Sequence, residues 1–231
     1  MIKTFYSNVP QSMKHMSGAV FNSGSAAFSK PVSLYVLGLN PGGDPKTHAD
    51  ETVDSHSQKV FLKPSNWSGY RDDSWNDRPA GTNGIQPRIL HALNSLGFDA
   101  HDVPTSNLIF VRTRTEKELN DFNLLAEQCW PFHEAVISNL EIKVVLCFGG
   151  KAGNWVRKKV GAITLVDQFI EINNRNWKSN AYVNPHGLHV IVASHPSRAA
   201  WTTASADPTP MIKRVIYGGW RQVEVDLETN K

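Results

Sequence analysis

Four short runs of the chain are almost wholly apolar: Val32 to Leu39, Asn107 to Val111, Lys143 to Phe148 and His189 to Ala193. Continuous rather than alternating hydrophobicity over so few residues describes strands buried on both faces, as in a parallel sheet. Between these runs the apolar positions recur with helical spacing. Ile89, Leu90, Leu93 and Leu96 share one face of the segment Ile85 to Leu96, which Gly97 closes, and Phe122 to Leu140 carries a second helical pattern. Strand and helix therefore alternate. The pattern predicts an α/β fold: a single domain spanning 1–231, with a central parallel four-stranded sheet flanked by helices and a ligand crevice beyond the carboxyl ends of the strands.

Three stretches depart from this rhythm. Residues 1–30 read as an N-terminal arm, and the polar, Pro- and Trp-containing segment 46–83 shows no sustained period and reads as a long loop, a type that is uncommon inside compact domains and often functional. Between Ile163 and Tyr182, alternation around Leu165 to Ile172 suggests an extra strand with Asn173-Asn174 as a turn. A final helix is expected after Pro210, with Met211, Val215 and Ile216 facing inward and Gly218-Gly219 ending it.

Composition narrows the class. At 231 residues, 40% hydrophobic and 19% charged, the chain is neither disordered nor fibrous. Its apolar runs fall far short of the roughly 20 residues that cross a bilayer, so no membrane span is expected. No apolar region follows the early lysine, so no secretory signal is read and the expected location is cytoplasmic. Two cysteines, Cys129 and Cys147, are too few for a disulfide framework or an iron-sulfur cluster and read as core residues. A net charge of +3 permits a polyanionic partner without requiring one.

The candidate chemistry sits at strand tips. After the first strand comes Gly38-Leu39-Asn40-Pro41-Gly42-Gly43-Asp44-Pro45, a turn that carries a polar amide and glycines whose N–H groups can approach an anion. After the fourth comes Ser194-His195-Pro196-Ser197-Arg198, which adds an imidazole and a hydroxyl at the same end of a parallel sheet. Either motif alone is weak; together they are more specific.

With these two motifs the chain resembles the uracil-DNA glycosylase superfamily, whose first motif has the form Gly-x-Asn-Pro-Gly and whose second is His-Pro-Ser. The likeness extends through Thr105-Ser106-Asn107-Leu108-Ile109, similar to the strand with the uracil-reading Asn, and from Cys129-Trp130-Pro131 to Gly149-Gly150-Lys151-Ala152. The motif pair is closest to the single-strand-selective monofunctional branch. With only two cysteines, the iron-sulfur cluster of the thermostable branch is not expected.

The resemblance implies a monofunctional DNA glycosylase that flips uracil, or a related deaminated or modified base, and hydrolyses its N-glycosidic bond by water attack at C1′. It would need no cofactor or metal, act on DNA and work as a monomer. Asn40 and His195 are then the catalytic pair, one orienting water and the other donating to the O2 anion that develops on the base. Gly38, Leu39 and Asn107 would hold the base, although Asn107 could equally cap a strand end. Trp75 is chosen as the stacking platform from Phe61, Trp67, Tyr70 and Trp75. Gly42, Gly43, Ser197, Arg198 and Lys151 would contact DNA, with Arg112 and Arg114 extending a basic rim. Gly42 stands where strictly uracil-specific relatives carry a bulky aromatic, which suggests tolerance at C5 of the base.

Two other readings stay open. A shifted register makes Asp44 the general base, and a binding protein of the same fold could lack cleavage altogether. A zinc site from His186, His189 and His195 is discounted for want of a completing ligand.

Overall fold

The computed structural model describes residues 1–218. Among them, six strands form one mixed sheet: β1 (Leu34–Gly38), β2 (Thr105–Asn107), β3 (Val144–Phe148), β4 (Thr164–Ile170), β5 (Lys178–Val183) and β6 (His189–Ala193), in the order β2-β1-β3-β6-β5-β4. The four expected strands β2, β1, β3 and β6 pair in parallel. The sheet is not wholly parallel, because the extra strand suggested near residue 165 folds with its successor into the β4–β5 hairpin. That hairpin adds antiparallel strands at the β6 edge. The reversal matters for the site, since it returns the chain to the end of the sheet where the parallel strands finish.

Both faces of the central strands are buried, as their unbroken hydrophobicity implies. Tyr35, Leu37, Val145, Cys147 and Val190 enter one apolar cluster, whereas Leu34, Val36, Val144, Leu146 and Ile191 enter the other, the two-residue period of a strand divided between two cores. Helices α1 (Ile2–Tyr6), α2 (Val53–Leu62), α4 (Phe122–Asn139) and α5 (Gly150–Lys159) cover the first face. Helices α3 (Gln86–Ser95) and α6 (Thr209–Ile216) cover the second. Cys129 and Cys147 are free and buried, and burial pushes the Cys129 thiol up to about 12.

Some expectations are corrected. Segment 1–30 is no peripheral arm: Ile2, Phe5, Val9, Met13, Val20, Phe21 and Phe28 all lie in the first core. The 46–83 loop contains α2, started by a capping box in which the Thr52 hydroxyl accepts from Ser55 N–H and the Ser55 hydroxyl accepts from Thr52 N–H. Strand β2 covers Thr105–Asn107 rather than Asn107–Val111. Past Asn107 the apolar residues are buried by the N-terminal segment, where Phe110 C=O accepts from Ala19 N–H, so hydrophobicity there records burial and not a regular strand. The terminal helix lies where expected, though its presumed closing Gly219 falls outside the described residues.

His133 on α4 links the core to the loop that leaves β2. Its Nε2 faces the Leu108 carbonyl at 3.0 Å and so must carry the proton, which leaves Nδ1 to accept from the Tyr35 hydroxyl at 2.8 Å. Burial holds His133 down to about 4, and burial likewise holds His56 down to about 4. The unfolded chain protonates both near 6.5, so the unfolded state binds more protons between pH 6.5 and 4, and stability present above that window is lost as pH falls through it. From pH 7 to pH 5 each histidine costs about 2 kcal/mol. Urea unfolding of His133→Gln should start lower at pH 7, because the Tyr35–Leu108 link is broken, yet lose about 2 kcal/mol less than the wild type on going to pH 5. Parallel losses in the two proteins would show that His133 takes up its proton as readily in the folded protein as in the unfolded chain.

Candidate active site

Beyond the carboxyl ends of β1, β2, β3 and β6 the structure opens into a cleft of about 1020 Å³. Gly38, Leu39, Asn40, Gly42, Trp75, Asn107, Lys151, His195, Ser197 and Arg198 all line it. Gly43 does not. Its φ is +111°, and a Cβ there would meet the His48 ring at 3.2 Å.

Asn40 follows the β1 tip, and its Nδ2 is held by acceptors alone: Thr113 Oγ1 at 2.8 Å, Val111 C=O at 3.1 Å and Pro41 C=O at 3.2 Å. The Thr113 hydroxyl already donates to Thr115 C=O, so turning the amide over would set its oxygen against two carbonyls. The amide orientation is thereby determined, and Oδ1 has no protein donor among the described residues. Asp44, the shifted-register candidate, lies outside the cleft lining; its Oδ1 accepts from Lys46 N–H at 2.9 Å, and Oδ2 faces Arg114 at 3.7 Å.

Asn107 ends β2 directly beside Gly38, and the two are register partners. A Cβ on residue 38 would stand 2.3 Å from Asn107 Oδ1. Glycine at 38 is thus what lets the Asn107 amide lie across the tip of β1. This amide is nearly buried and has no hydrogen-bond partner among the described residues, so both its donor and its acceptor face the cleft. The strand-capping alternative for Asn107 lacks the local backbone bond it requires.

His195 follows β6. Its Nδ1 accepts from Ser197 N–H at 3.0 Å and lies 2.7 Å from the Ser197 hydroxyl. A backbone N–H can only donate, so Nδ1 carries no proton in the neutral ring and Nε2–H is the remaining donor. Burial first, and then the Arg198 charge, hold the imidazole below its usual range, with Glu116 acting in the opposite direction. The loop carrying it is anchored on three sides: Trp201 Nε1 donates to Ser194 C=O at 3.1 Å, Ser194 N–H donates to Ser179 Oγ at 2.9 Å, and the Arg88 guanidinium donates to Pro196 C=O.

Several rim assignments change. Ser197 is committed to His195 through both its N–H and its hydroxyl, so it positions the imidazole rather than standing free for a phosphate. Lys151 sits 4.9 Å above the Phe122 ring and 3.9 Å from Glu116. Arg112 is bound inward by Gly42 C=O at 2.6 Å and by Glu51, which removes it from the basic rim, while exposed Arg114 lines the cleft. Among the aromatic candidates, Phe61 and Trp67 pack into the first core, whereas Trp75 and Tyr70 line the cleft with ring centroids 6.0 Å apart.

Phe148, Glu116, Trp177 and Lys178 also line the cleft and were not singled out from the sequence. Phe148 was legible in principle, as the last residue of β3 before a glycine pair. Trp177 was not, because its position depends on the antiparallel hairpin. The discounted zinc site has no geometric basis, since His189 begins β6 and His195 lies past its end, roughly 20 Å away along an extended chain. Among the described residues no group of three or more His, Cys, Asp or Glu could hold a metal ion, and no helix is long and apolar enough to cross a membrane.

The family model described as "Uracil DNA glycosylase superfamily" matches residues 27–216, most of the chain and all of the cleft-lining strand tips. A search of curated proteins with the chain finds no match.

Proposed function

The chain belongs to the uracil DNA glycosylase superfamily, and from that premise we propose that it is a monofunctional glycosylase acting on uracil or a related deaminated base in DNA. The observation that carries this reading is the convergence, in one cleft, of an acceptor from Asn40, an unpaired amide from Asn107 and the Nε2–H of a neutral His195. Hydrolysis of the N-glycosidic bond builds positive charge on the sugar and negative charge on the departing base. Asn40 Oδ1 accepts a hydrogen from water and aims its oxygen at C1′. As that oxygen bonds to C1′, the C1′–N bond breaks and its electron pair leaves with the base, whose O2 is met by His195 Nε2–H. The water proton goes to solvent, because an amide cannot take it. Asn107 accepts from N3–H and donates to O4, a pattern that cytosine reverses, and Trp75 or Phe148 supplies the stacking surface.

The test is release of base from labelled oligonucleotides bearing uracil, hypoxanthine, xanthine or a thymine mismatch, single- and double-stranded, followed by alkaline cleavage of abasic sites. Cleavage of a uracil strand supports the reading. Tight binding with no release from any strand would make the chain a binding protein of the same fold.

Gly42 sets the expected range of bases. A Cβ there would meet nothing within 4 Å, so a side chain has room to grow into the cleft. Wild type should release 5-hydroxymethyluracil as well as uracil, and Gly42→Tyr should cut the former by about tenfold or more relative to the latter. Refusal of every C5-substituted base by wild type would end the open-pocket argument.

A further inference from the structure

The β4–β5 hairpin brings to the cleft an aromatic residue that the reading above leaves without a task. Six of the seven tryptophans lie in the described residues. Trp67, Trp130 and Trp155 pack with the first core, and Trp75 and Trp201 with the second. Trp177 belongs to neither cluster; it lines the cleft, half-buried, from the residue before β5. Because β5 runs antiparallel to β6, with Asn180 opposite Val192, Trp177 stands at the same end of the sheet as His195.

This indole is held from behind. The Arg175 guanidinium lies 4.3 Å from its ring centroid, so a cation covers one ring face. Arg175 Nη2 is 2.8 Å from Glu171 Oε2, and Nη1 donates to Arg198 C=O at 2.6 Å. The Glu171 side chain is wholly buried, with Oε2 also accepting from Asn173 Nδ2 at 2.8 Å and Oε1 buried without a partner among the described residues. Burying a carboxylate with one oxygen unsatisfied is costly, and the arrangement it sustains is a clamp between the hairpin turn and the His195 loop. Ile172 N–H donating to Ser205 C=O at 2.7 Å fastens the same turn. A cation-backed indole that lines the cleft and belongs to neither apolar core has the form of a stacking platform for a nucleobase.

We propose that Trp177 seats a second base of the DNA strand, the unpaired neighbour of the base held between Asn107 and His195, while exposed Lys178 and Arg198 face the connecting phosphate. The proposal rests on the glycosylase reading for the identity of its ligand, a single-stranded segment rather than a closed duplex. It makes the cleft a two-base site.

The experiment is a cycle on the full chain. Binding of a labelled single-stranded oligonucleotide carrying one cleavage-resistant 2′-fluoro-deoxyuridine is followed by anisotropy, alongside matched strands in which the base on its 5′ or 3′ side is deleted to leave a tetrahydrofuran. Deleting the seated neighbour should weaken wild-type binding roughly tenfold. Trp177→Leu, which keeps apolar bulk but offers no π-face, should bind the intact strand roughly tenfold more weakly and no longer distinguish intact from deleted strands. Trp177→Phe should retain the discrimination. A Leu variant that still distinguishes the strands, or a wild type indifferent to both deletions, would overturn the proposal even if uracil is released normally. Conversely, if wild type releases no base from any strand yet shows the Trp177-dependent discrimination, the platform stands and the glycosylase reading falls.

Discussion

Changing His195 to alanine should lower single-turnover base release by about 10²-fold or more, the loss seen when one preorganised donor to a developing oxyanion is removed. The expectation follows from the proton's position. Ser197 N–H occupies Nδ1, so the neutral ring presents Nε2–H as its remaining donor. Burial and the nearby Arg198 charge hold the imidazole below its usual range, so in the proposed mechanism a neutral ring donates to the leaving base without having to lose a proton afterwards. DNA affinity should change far less, because the base's O2 is only weakly negative until the glycosidic bond stretches. Ser197→Ala is the companion test. It removes the hydroxyl but keeps the backbone N–H on Nδ1, so its loss should be much smaller than that of His195→Ala. Equal rates for wild type and a folded His195→Ala protein would remove the imidazole from the mechanism.

What could be seen in the sequence beforehand divides along physical lines. The β1, β3 and β6 strands were legible because burial on both faces writes an unbroken apolar run, and Asn40 and His195 were legible because each follows such a run at once. Strand β2 starts two residues and ends four residues before the expected run, since Leu108 to Val111 are buried under the N-terminal segment, and burial alone does not distinguish a strand from an irregular chain. Helix α2 was hidden because its buried face is Val53, Ser57 and Val60, with a serine where the apolar stripe should continue; the Ser57 hydroxyl satisfies itself on Val53 C=O at 2.7 Å. Its capping box was the signal available. Polar and charged residues were assigned by what they could do rather than by what holds them. Arg112, Lys151 and Ser197 looked like phosphate contacts, yet each already has protein partners, and partners of that kind are set by tertiary structure. Gly38 shows the same limit from the other side: the motif marks it, but the reason for glycine is the Asn107 side chain from another strand.

The Asn40 series tests the other half of the chemistry, and there the amide's surroundings set an expectation that residue type alone does not. Asn40→Ala removes the oxygen proposed to orient water together with three hydrogen bonds from Nδ2, so base release should fall by about 10²-fold. Stability should drop as well, by about 1 to 2 kcal/mol, because Val111 C=O loses a donor. Asn40→Asp supplies a carboxylate that could in principle accept the water's proton. One of its oxygens, however, must replace an N–H2 group that now faces two carbonyls, and the Thr113 hydroxyl could help only by leaving Thr115 C=O. The carboxyl is therefore favoured in its protonated form, in which the O–H donates to Val111 C=O and the C=O continues to face the cleft. Asn40→Asp should accordingly be milder than Asn40→Ala at pH 5 to 6 and lose rate as pH rises, the opposite slope to that of a carboxylate general base. Single-turnover release measured from pH 5 to 8 decides between them. A rate that climbs with pH would show that the site tolerates the charge and uses it as a base. If Asp44→Ala abolished release while Asn40→Ala left it intact, the water-holding role would move to the turn beyond β1.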